Sequence, residues 1–306
     1  MKMGLSVIEK EERLNYITAT DVATICGVSP WGNIVELWKQ KTGLSVAEDI
    51  SHKPAVKAGL YLEEPIARWF SDETQKQLET DERLVVHPSI PYLAAHTDRV
   101  IVGESALLEC KTASYDKDWG EQGENRIPDY YLVQIAQEAM CWERDRVYTA
   151  VLIRGSDFRH YCYERNHRLE EMIQSKCKVF WNCVQNGTPP EPRTVDEVVS
   201  LYARAEDVEP KIATGDIEDA IEKLHEIKAY IKTASDEQMK LEKIIKAFMM
   251  ECPTLLNRAG KPIATWKNNA GVTRFDSKQF QEDNNELYER YLKKHPSSRI
   301  FLLRKV

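Results

Sequence analysis

Two carboxylates and one ammonium group stand out because their types and spacing suit hydrolytic chemistry. Asp98 ends one predicted strand, and the next strand carries Glu109, Cys110 and Lys111. Side chains alternate along a strand, so Glu109 and Lys111 share one face and Cys110 points to the other. A hairpin between the two strands would bring Asp98 beside Glu109. The pattern therefore predicts a compact site with two acidic groups and one basic group.

The chemistry of such a site follows from its oxygen ligands. Two converging carboxylates suit Mg²⁺, a hard cation that prefers oxygen. A bound Mg²⁺ polarises a phosphoryl oxygen and lowers the pKa of a bound water. A neighbouring ammonium group positions that water and offsets charge in the transition state. Asp98, Glu109 and Lys111 are thus suited to phosphodiester hydrolysis, and the alternative is a solvated strand face with an exposed ion pair.

The segments that must position these residues predict an α/β protein. Helical patterns cover four stretches. The first, 18–43, holds two short helices, and the other three hold one longer helix each, at 54–77, 129–143 and 167–186. Strand patterns cover six shorter stretches, at 83–87, 92–95, 99–102, 106–111, 147–153 and 158–164. Helices and strands in this order indicate a mixed sheet with helices packed on it.

A Gly- and Pro-rich break at 187–192 marks the end of the core domain. We therefore place the core over residues 1–190 and a linker over 191–215. Residues 216–250 carry a charged helical pattern, which predicts a helical hairpin or coiled coil. Residues 261–306 predict a small strand–helix–strand unit. Together, 216–306 are expected to form a helical and small α/β extension.

Composition and charge restrict the class of protein. With 42% hydrophobic and 30% charged residues, the 306-residue chain is typical of a globular protein. Its net charge of −7 argues against coating nucleic acid by bulk electrostatics, but a local basic channel would need only a few lysines and arginines. No apolar run approaches the roughly 18 residues that span a bilayer. The N-terminal residues lack a signal-peptide pattern. We expect a cytoplasmic protein with no membrane association.

Aromatic and sulfur-containing residues are expected to be structural. Five tryptophans lie in patterns typical of core or helix packing rather than base stacking, and they are Trp31, Trp38, Trp69, Trp142 and Trp181. The seven cysteines are odd in number and scattered, with no CxxC pair. In a reducing cytosol this usage predicts free, mostly buried thiols.

The wider sequence resembles the YqaJ-type viral recombinase family, also known as the phage lambda exonuclease family, within the PD-(D/E)xK nucleases. Four blocks follow the family's order over residues 13–190. They are RLNYITATD at 13–21 with its continuation to Gly43, GLYLEEP at 59–65, Asp98 with Glu109 and Lys111, and PDYYLVQ at 128–134. Thr97 stands where the motif has a proline. The resemblance implies a restriction-endonuclease-like core with a central mixed β-sheet flanked by helices.

The resemblance also implies roles for individual residues. The catalytic residues would be Glu63, Asp98, Glu109, Lys111 and Gln134. The metal ligands would be Glu63, Asp98, Glu109 and the backbone carbonyl of Cys110, with Mg²⁺ as the cation and Mn²⁺ as a substitute.

Two of these roles have weaker sequence support. Glu64 is the runner-up to Glu63, but on a helix it projects about 100° away. Gln134 matches a glutamine that orders the active site and contacts DNA. Family members often carry a second glutamine two residues later, and this position is Ala136 here, so that part of the motif is lost.

A 5′-phosphate pocket is implied by four further positions. They are Arg13, Thr20, His96 and Lys117. Arg13 offers a bidentate guanidinium, and Thr20 offers a hydroxyl near the start of a helix. Lys117 replaces a family arginine and His96 replaces a serine, which changes the donors available to the phosphate. The alternative is that Arg13 and Lys117 are ordinary surface cations.

For activity, the resemblance implies Mg²⁺-dependent hydrolysis of duplex DNA from its ends, 5′ to 3′. The product would be single strands for phage-type homologous recombination. Expected partners are duplex DNA ends, a phage single-strand annealing protein and further copies of the chain in a trimeric ring. The protein would be phage- or prophage-encoded and would act in the cytoplasm of the bacterial host.

Other functions stay open at this point. One is a structure-specific or spacer-acquisition-type nuclease with a different polarity. Another is a catalytically silent adaptor that binds DNA ends, although the intact set of Glu63, Asp98, Glu109 and Lys111 argues against it. Some relatives bind an iron–sulfur cluster, for which Cys162, Cys177 and Cys183 are the residues to consider. Their irregular spacing argues against a cluster.

Overall fold

The computed structural model of the protein describes residues 13–293 and 298–304. Contacts between residues divide the chain into two compact units, the first ending at Tyr202 and the second beginning at Ala203. All the residues expected at the catalytic site belong to the first unit. Each unit is described by itself.

The first unit alternates helices with short strands. After a 3₁₀ turn at Arg13–Asn15, its elements are β1 (Ile17–Thr18), α1 (Ala19–Cys26), α2 (Ile34–Lys41), α3 (Pro54–Thr74), β2 (Leu78–Glu79), β3 (Val85–Val86), β4 (Leu93–Ala95), β5 (Arg99–Ile101), β6 (Ala106–Ala113), α4 (Asp129–Cys141), β7 (Arg146–Ile153), β8 (Asp157–Glu164), α5 (His167–Gln185) and α6 (Val195–Leu201). Every helix and strand predicted for this unit is present, with ends shifted by a few residues. The sequence patterns did not predict β1, β2 or α6.

The main sheet has five strands in the order β2–β5–β6–β7–β8. Strands β6 and β7 are parallel, because α4 carries the chain back across the sheet between them. The other neighbouring pairs are antiparallel. A second, smaller sheet has the order β1–β4–β3. The structure therefore confirms the predicted α/β class with a mixed sheet flanked by helices.

Helices cover both faces of the main sheet. On one face, Ile66 and Phe70 of α3 pack against Leu108 of β6. On the other face, Ile135 of α4 packs in a larger cluster with Leu107 of the same strand. Consecutive residues of β6 thus enter different cores. This alternation directs Glu109 towards α4 and leaves Cys110 on the α3 face, as the sequence predicted.

Helix α4 is the central element of the first unit. Its residues from Val133 to Cys141 are all buried, because the sheet contacts one side and α1 and α5 contact the other. Gln137, fully buried, donates from Nε2 to the backbone carbonyls of Ile17 (2.8 Å) and Ala94 (3.0 Å). These bonds satisfy both N–H groups of the amide, leave its Oε1 without a partner among the described residues, and tie α4 to the small sheet. Side chains on α4 are therefore held in a fixed position.

The segment predicted as a linker contains a helix that belongs to the first unit. Glu197 of α6 accepts from the backbone N–H of Ile34 at 3.0 Å, at the start of α2. Lys39 of α2 donates to the hydroxyl of Ser200 at 2.7 Å. These contacts place α6 within the first unit, which extends beyond the predicted boundary at 190.

The second unit has one long helix, α7 (Gly215–Met249), followed by a hairpin of β9 (Thr254–Leu256) and β10 (Pro262–Thr265). Two short helices follow, α8 (Ser277–Asp283) and α9 (Asn285–Tyr291). Of the two predicted alternatives, a helical hairpin or a coiled coil, the hairpin is wrong, since α7 is continuous and contains neither Gly nor Pro after its first residue to break it. The predicted closing strand is also wrong for the described residues 298–304, which form no strand.

Candidate active site

Strands β5 and β6 bring Asp98 and Glu109 together. Arg99 pairs with Leu108 across these antiparallel strands, so the two carboxylates lie on adjacent residues of the ladder. Asp98 Oδ2 accepts from the backbone N–H of Cys110 at 2.8 Å. Burial, and then the negative charge of Glu109, raise the pKa of Asp98 well above its usual range. The hairpin geometry expected from the sequence is therefore observed.

Lys111 lies beside Glu109 on the same face of β6. Its Nζ is 2.5 Å from Glu109 Oε1 and 3.4 Å from Gln134 Oε1. It also lies 4.9 Å from the centre of the Tyr131 ring. Burial disfavours the ammonium form, but the charges of Glu109 and Asp98 outweigh burial and raise the pKa of Lys111. The lysine is therefore held as a cation beside Glu109.

Gln134 connects this cluster to α4. Its Nε2 donates to Glu109 Oε1 at 2.7 Å and to Glu138 Oε1 at 2.9 Å. Glu138 is 1% exposed, and its Oε2 has no hydrogen-bond partner among the described residues. Burial, followed by the charge of Glu109, raises the pKa of Glu138 well above its usual range.

Glu138 is a site residue that the sequence reasoning missed. A usable signal existed, because residues four apart on a helix share a face and Glu138 follows Gln134 at that spacing. Ala136, where family members often carry a second glutamine, is buried in the apolar core.

Glu63 lies on α3. It pairs with an arginine and does not contact the carboxylates of Asp98 and Glu109 by a hydrogen bond. Arg99 donates from Nη1 to Glu63 Oε1 at 2.8 Å and from Nη2 to Glu64 Oε2 at 2.7 Å. The Glu63 side chain is 22% exposed, whereas that of Glu64 is 78% exposed. This difference favours Glu63 over Glu64 as the residue nearer the site, as the helix geometry suggested. Glu63 is close enough to Asp98 for its charge to contribute to the raised pKa of Asp98.

Arg99 is the second site residue missed from sequence. It is 7% exposed and its Nη1 also donates to the backbone carbonyl of Asp98 at 2.5 Å. The residue directly follows Asp98, and its position on a short strand gave no indication that the guanidinium would reach α3.

The donor set can be tested against a metal ion. Within the described part of the chain, no group of three or more His, Cys, Asp or Glu side chains is arranged to hold one. The same search gives no support to a cluster on Cys162, Cys177 and Cys183, which lie on β8 and α5. Asp98 and Glu109 nevertheless fit a divalent cation chemically, since a cation would offset the repulsion that raises the pKa of Asp98. Cys110 contacts this site through its backbone N–H.

The residues expected to bind a 5′-phosphate are only partly brought together. Arg13 Nη2 donates to Thr20 Oγ1 at 2.8 Å and to Thr18 Oγ1 at 3.2 Å, at the start of α1. Lys117 is exposed on the loop after β6, and His96 is half-buried between β4 and β5. The Arg13–Thr20 pair is thus the best-defined part of the expected pocket.

One expectation about tryptophan is wrong. Trp31 is 77% exposed, because it lies on the short connection between α1 and α2 rather than within a helix. Trp38 and Trp142 are buried as expected, and Trp69 and Trp181 stack on Phe158 and Tyr92.

None of the helices in the described residues combines the length and apolar composition that crossing a bilayer would require.

The fold and the carboxylate–lysine cluster define an α/β protein with a candidate hydrolytic site, and comparison with known proteins identifies its family. Residues 10–145 match the model of the YqaJ-like viral recombinase domain. The chain is 30% identical over 304 residues to the uncharacterized protein YqaJ of Bacillus subtilis, covering 96% of this chain and 93% of that protein. The chain belongs to the YqaJ-like viral recombinase family.

Two solved structures show partial similarity to this chain. An alkaline exonuclease from Laribacter hongkongensis has a TM-score of 0.44 and 16% identity, covering 58% of this chain and 91% of that one. A putative exonuclease from Eubacterium rectale has a TM-score of 0.46 and 11% identity, covering 71% and 98%.

Proposed function

We propose that this protein is a metal-dependent deoxyribonuclease that hydrolyses duplex DNA from its ends. The observation that supports this function most strongly is the convergence of Asp98, Glu109 and Lys111, with Gln134 bonded to the same carboxylate. Two acidic groups and a buried cation on neighbouring strands suit a reaction in which negative charge builds up on a phosphate. Membership of a viral recombinase family supports DNA as the substrate.

In this proposal Asp98 and Glu109 hold Mg²⁺, and Mn²⁺ can substitute for it. The backbone carbonyl of Cys110 would be a further ligand, and Glu63 would join the site on release from Arg99. When bound, the cation supplies Lewis-acid activation of the phosphate and of an attacking water.

The protein's own side chains then position the reactants. Lys111 orients the water and offsets the charge on the phosphate as the bond breaks. Gln134 holds Glu109 in place through its 2.7 Å hydrogen bond. Because α4 is buried along most of its length, this support is rigid, which is what precise positioning of reacting groups requires.

Polarity in the proposal depends on Arg13 and Thr20. Their side chains are already in contact, so a guanidinium and a hydroxyl converge where a terminal phosphate would accept hydrogen bonds from both. Lys117 and His96 complete the pocket by adding a point charge and a ring donor. Recognition of the 5′-phosphate would make digestion proceed 5′ to 3′.

The family also supports a biological setting for this activity. Digestion would leave single strands for phage-type homologous recombination, in the cytoplasm of a bacterial host. A single-strand annealing protein is the expected partner, and a trimeric ring is the expected assembly. Residues 216–306, with α7 as their main element, would form an extension to the nuclease core of the first unit.

The experiment compares end-labelled linear duplexes that carry either a 5′-phosphate or a 5′-hydroxyl, together with a closed circular duplex. We expect Mg²⁺-dependent release of nucleotides from linear DNA, faster from phosphorylated ends, and no cutting of the circle. Nicking of the circle at a rate similar to linear digestion would instead support a structure-specific or spacer-acquisition-type nuclease. End binding with no cleavage under any divalent cation would support a silent adaptor.

A further inference from the structure

Trp31 is an unusual surface residue. Its indole is 77% exposed, although it lies on a short connection between two helices whose inner faces are buried. Large aromatic side chains usually bury most of their area, because each can remove roughly 150–250 Å² from water. The Trp31 side chain therefore has apolar area that is available to a ligand from outside the chain.

The loop that carries Trp31 is fixed by its own backbone. Gly27 ends α1 in the left-handed conformation at φ 77°, and the N–H groups of Val28 and Ser29 both donate to the carbonyl of Ala23. The backbone N–H of Trp31 donates to Ser29 Oγ at 3.3 Å. The indole is thus presented by an ordered turn.

Gly32 adds a steric constraint to this turn. A Cβ at this position would lie 2.2 Å from Thr24 Oγ1, so only glycine allows the loop to pack this closely on α1. The residue after Trp31 is therefore pressed against the protein.

An aromatic series leads from Trp31 to the catalytic cluster. The Trp31 ring meets the Tyr130 ring edge-on, with centres 5.4 Å apart. The ring centres of Tyr130 and Tyr131 are 4.4 Å apart, and the ring centre of Tyr131 lies 4.9 Å from Lys111 Nζ. Tyr130 is only half-buried, so it shares the exposed surface with Trp31. The exposed pair is therefore continuous with the candidate active site.

We propose that Trp31 and Tyr130 form a stacking site for an unpaired nucleobase of the strand that enters the active site. The inference rests on the proposed nuclease function, which supplies the ligand class. Every base has a π face, so an aromatic side chain can stack on a base without selecting a sequence. A base held at Trp31 would keep the strand in register with the carboxylates while the nucleotides before it are hydrolysed. It would also separate that base from its partner in the duplex.

The test measures affinity for a fluorescently labelled single strand by anisotropy, with EDTA present so that no strand is cut. A second oligonucleotide has the same backbone but carries abasic sites in place of its bases. The variants are Trp31→Ala, Trp31→Phe and Trp266→Ala. Trp266 is a matched control, since it is 49% exposed and belongs to the second unit.

We expect Trp31→Ala to bind the normal strand about 5- to 150-fold more weakly than the wild type. Its affinity for the abasic strand should be unchanged, because only the stacked base is lost. Trp31→Phe should retain most of the affinity, and Trp266→Ala should behave like the wild type. Thermal unfolding of each variant checks that the fold is kept.

Three results would overturn the stacking site. The first is that Trp31→Ala and Trp266→Ala bind the normal strand with equal affinity. The second is that Trp31→Ala loses affinity equally for both strands, and the third is that the wild type does not distinguish the two strands. The first would be expected if Trp31 docks a partner protein instead. The binding test is independent of cleavage. If binding depends on the bases but the separate digestion assay shows no nuclease activity, only the proposed function is refuted. Nuclease activity with unaltered binding in Trp31→Ala would refute only the stacking site.

Discussion

Arg99 holds Glu63 at 2.8 Å, so the carboxylate expected to complete a metal site is paired with a guanidinium from the neighbouring strand. The arginine directly follows Asp98, and it links β5 to α3, the helix that packs on one face of the main sheet. The Arg99 side chain therefore connects Asp98, which belongs to the carboxylate cluster, with Glu63, which is expected to complete that cluster. This arrangement explains why two carboxylates converge in the structure rather than three.

Replacing Arg99 should destabilise the fold more than replacing an exposed arginine. Arg99→Ala leaves Glu63 partly buried without its partner, and removing one member of a buried pair typically costs about 3–5 kcal/mol. The matched control is Arg146→Ala, because Arg146 forms a half-exposed pair with Glu164 and such pairs contribute about 1 kcal/mol or less. Urea denaturation of both variants measures the difference. Equal losses in unfolding free energy would show that the Arg99 pair has no special structural role.

Glu138 should act as a positioning residue for Gln134. Glu138→Ala removes the acceptor that orients the Gln134 amide, and losing such an outer partner typically costs about 10- to 100-fold in activity. Glu138→Gln should restore most of the activity, because a neutral amide has nearly the shape of a protonated carboxyl and keeps an oxygen acceptor. Rates of nucleotide release from linear duplex DNA at saturating substrate measure both effects. If Glu138→Gln is as impaired as Glu138→Ala, the negative charge matters and the positioning role is wrong.

Arg13 should determine the preference for phosphorylated ends. Arg13→Ala removes the guanidinium that lies beside Thr20, and hydrogen bonds to a charged group contribute about 1.5–3 kcal/mol each. We expect the ratio of kcat/KM between 5′-phosphate and 5′-hydroxyl ends to fall by about 10- to 100-fold. A ratio is used because general loss of folded protein lowers both rates equally. A ratio that stays at the wild-type value would show that Arg13 is an ordinary structural cation.

Stability at low pH should depend on Asp21. Burial alone would raise the pKa of this carboxyl, but Lys41 at 2.8 Å and Arg13 outweigh burial and lower it below its usual 3.8. A lowered folded pKa means that the stabilisation is fully present above the unfolded value and is lost as pH falls through the folded value. Below about pH 4, the wild type should therefore lose unfolding free energy more steeply than Asp21→Asn.

The control for this pH dependence is Asp72→Asn, which changes an exposed carboxyl near the end of α3. Its unfolding free energy should follow that of the wild type as the pH is lowered in urea titrations. Parallel curves for the wild type and Asp21→Asn would exclude Asp21 as a contributor to the loss of stability in acid.

Much of the first unit could be predicted because its signals are local. Alternation along β6 predicted that Glu109 and Lys111 share a face, and the structure bears this out. The spacing of apolar residues predicted α3, α4 and α5. The two-residue strands β1 and β2 could not be predicted, because a strand that short has no periodicity of its own and forms only when a partner is present.

The errors arose where long-range contacts decide the outcome. Helix α6 was missed because it begins after a Pro-rich stretch and is fixed by Glu197 and Ser200 contacts to a helix about 160 residues earlier. Arg99 was missed for the same reason, since its partners lie on α3. Trp31 was misassigned because an aromatic residue in a helical pattern is usually buried, whereas here it lies on the connection between α1 and α2 and is exposed.

The most direct test of the central claim is digestion of linear duplex DNA by the wild type and by Lys111→Ala, with Mg²⁺ or with EDTA. Lys178→Ala is the control, because Lys178 is an exposed lysine on α5. We predict that the wild type and Lys178→Ala release nucleotides only with Mg²⁺. Lys111→Ala should be about 10²- to 10³-fold slower, as is typical when one group that stabilises transition-state charge is removed. Mg²⁺-dependent digestion at the wild-type rate by Lys111→Ala would contradict the assignment of the active site.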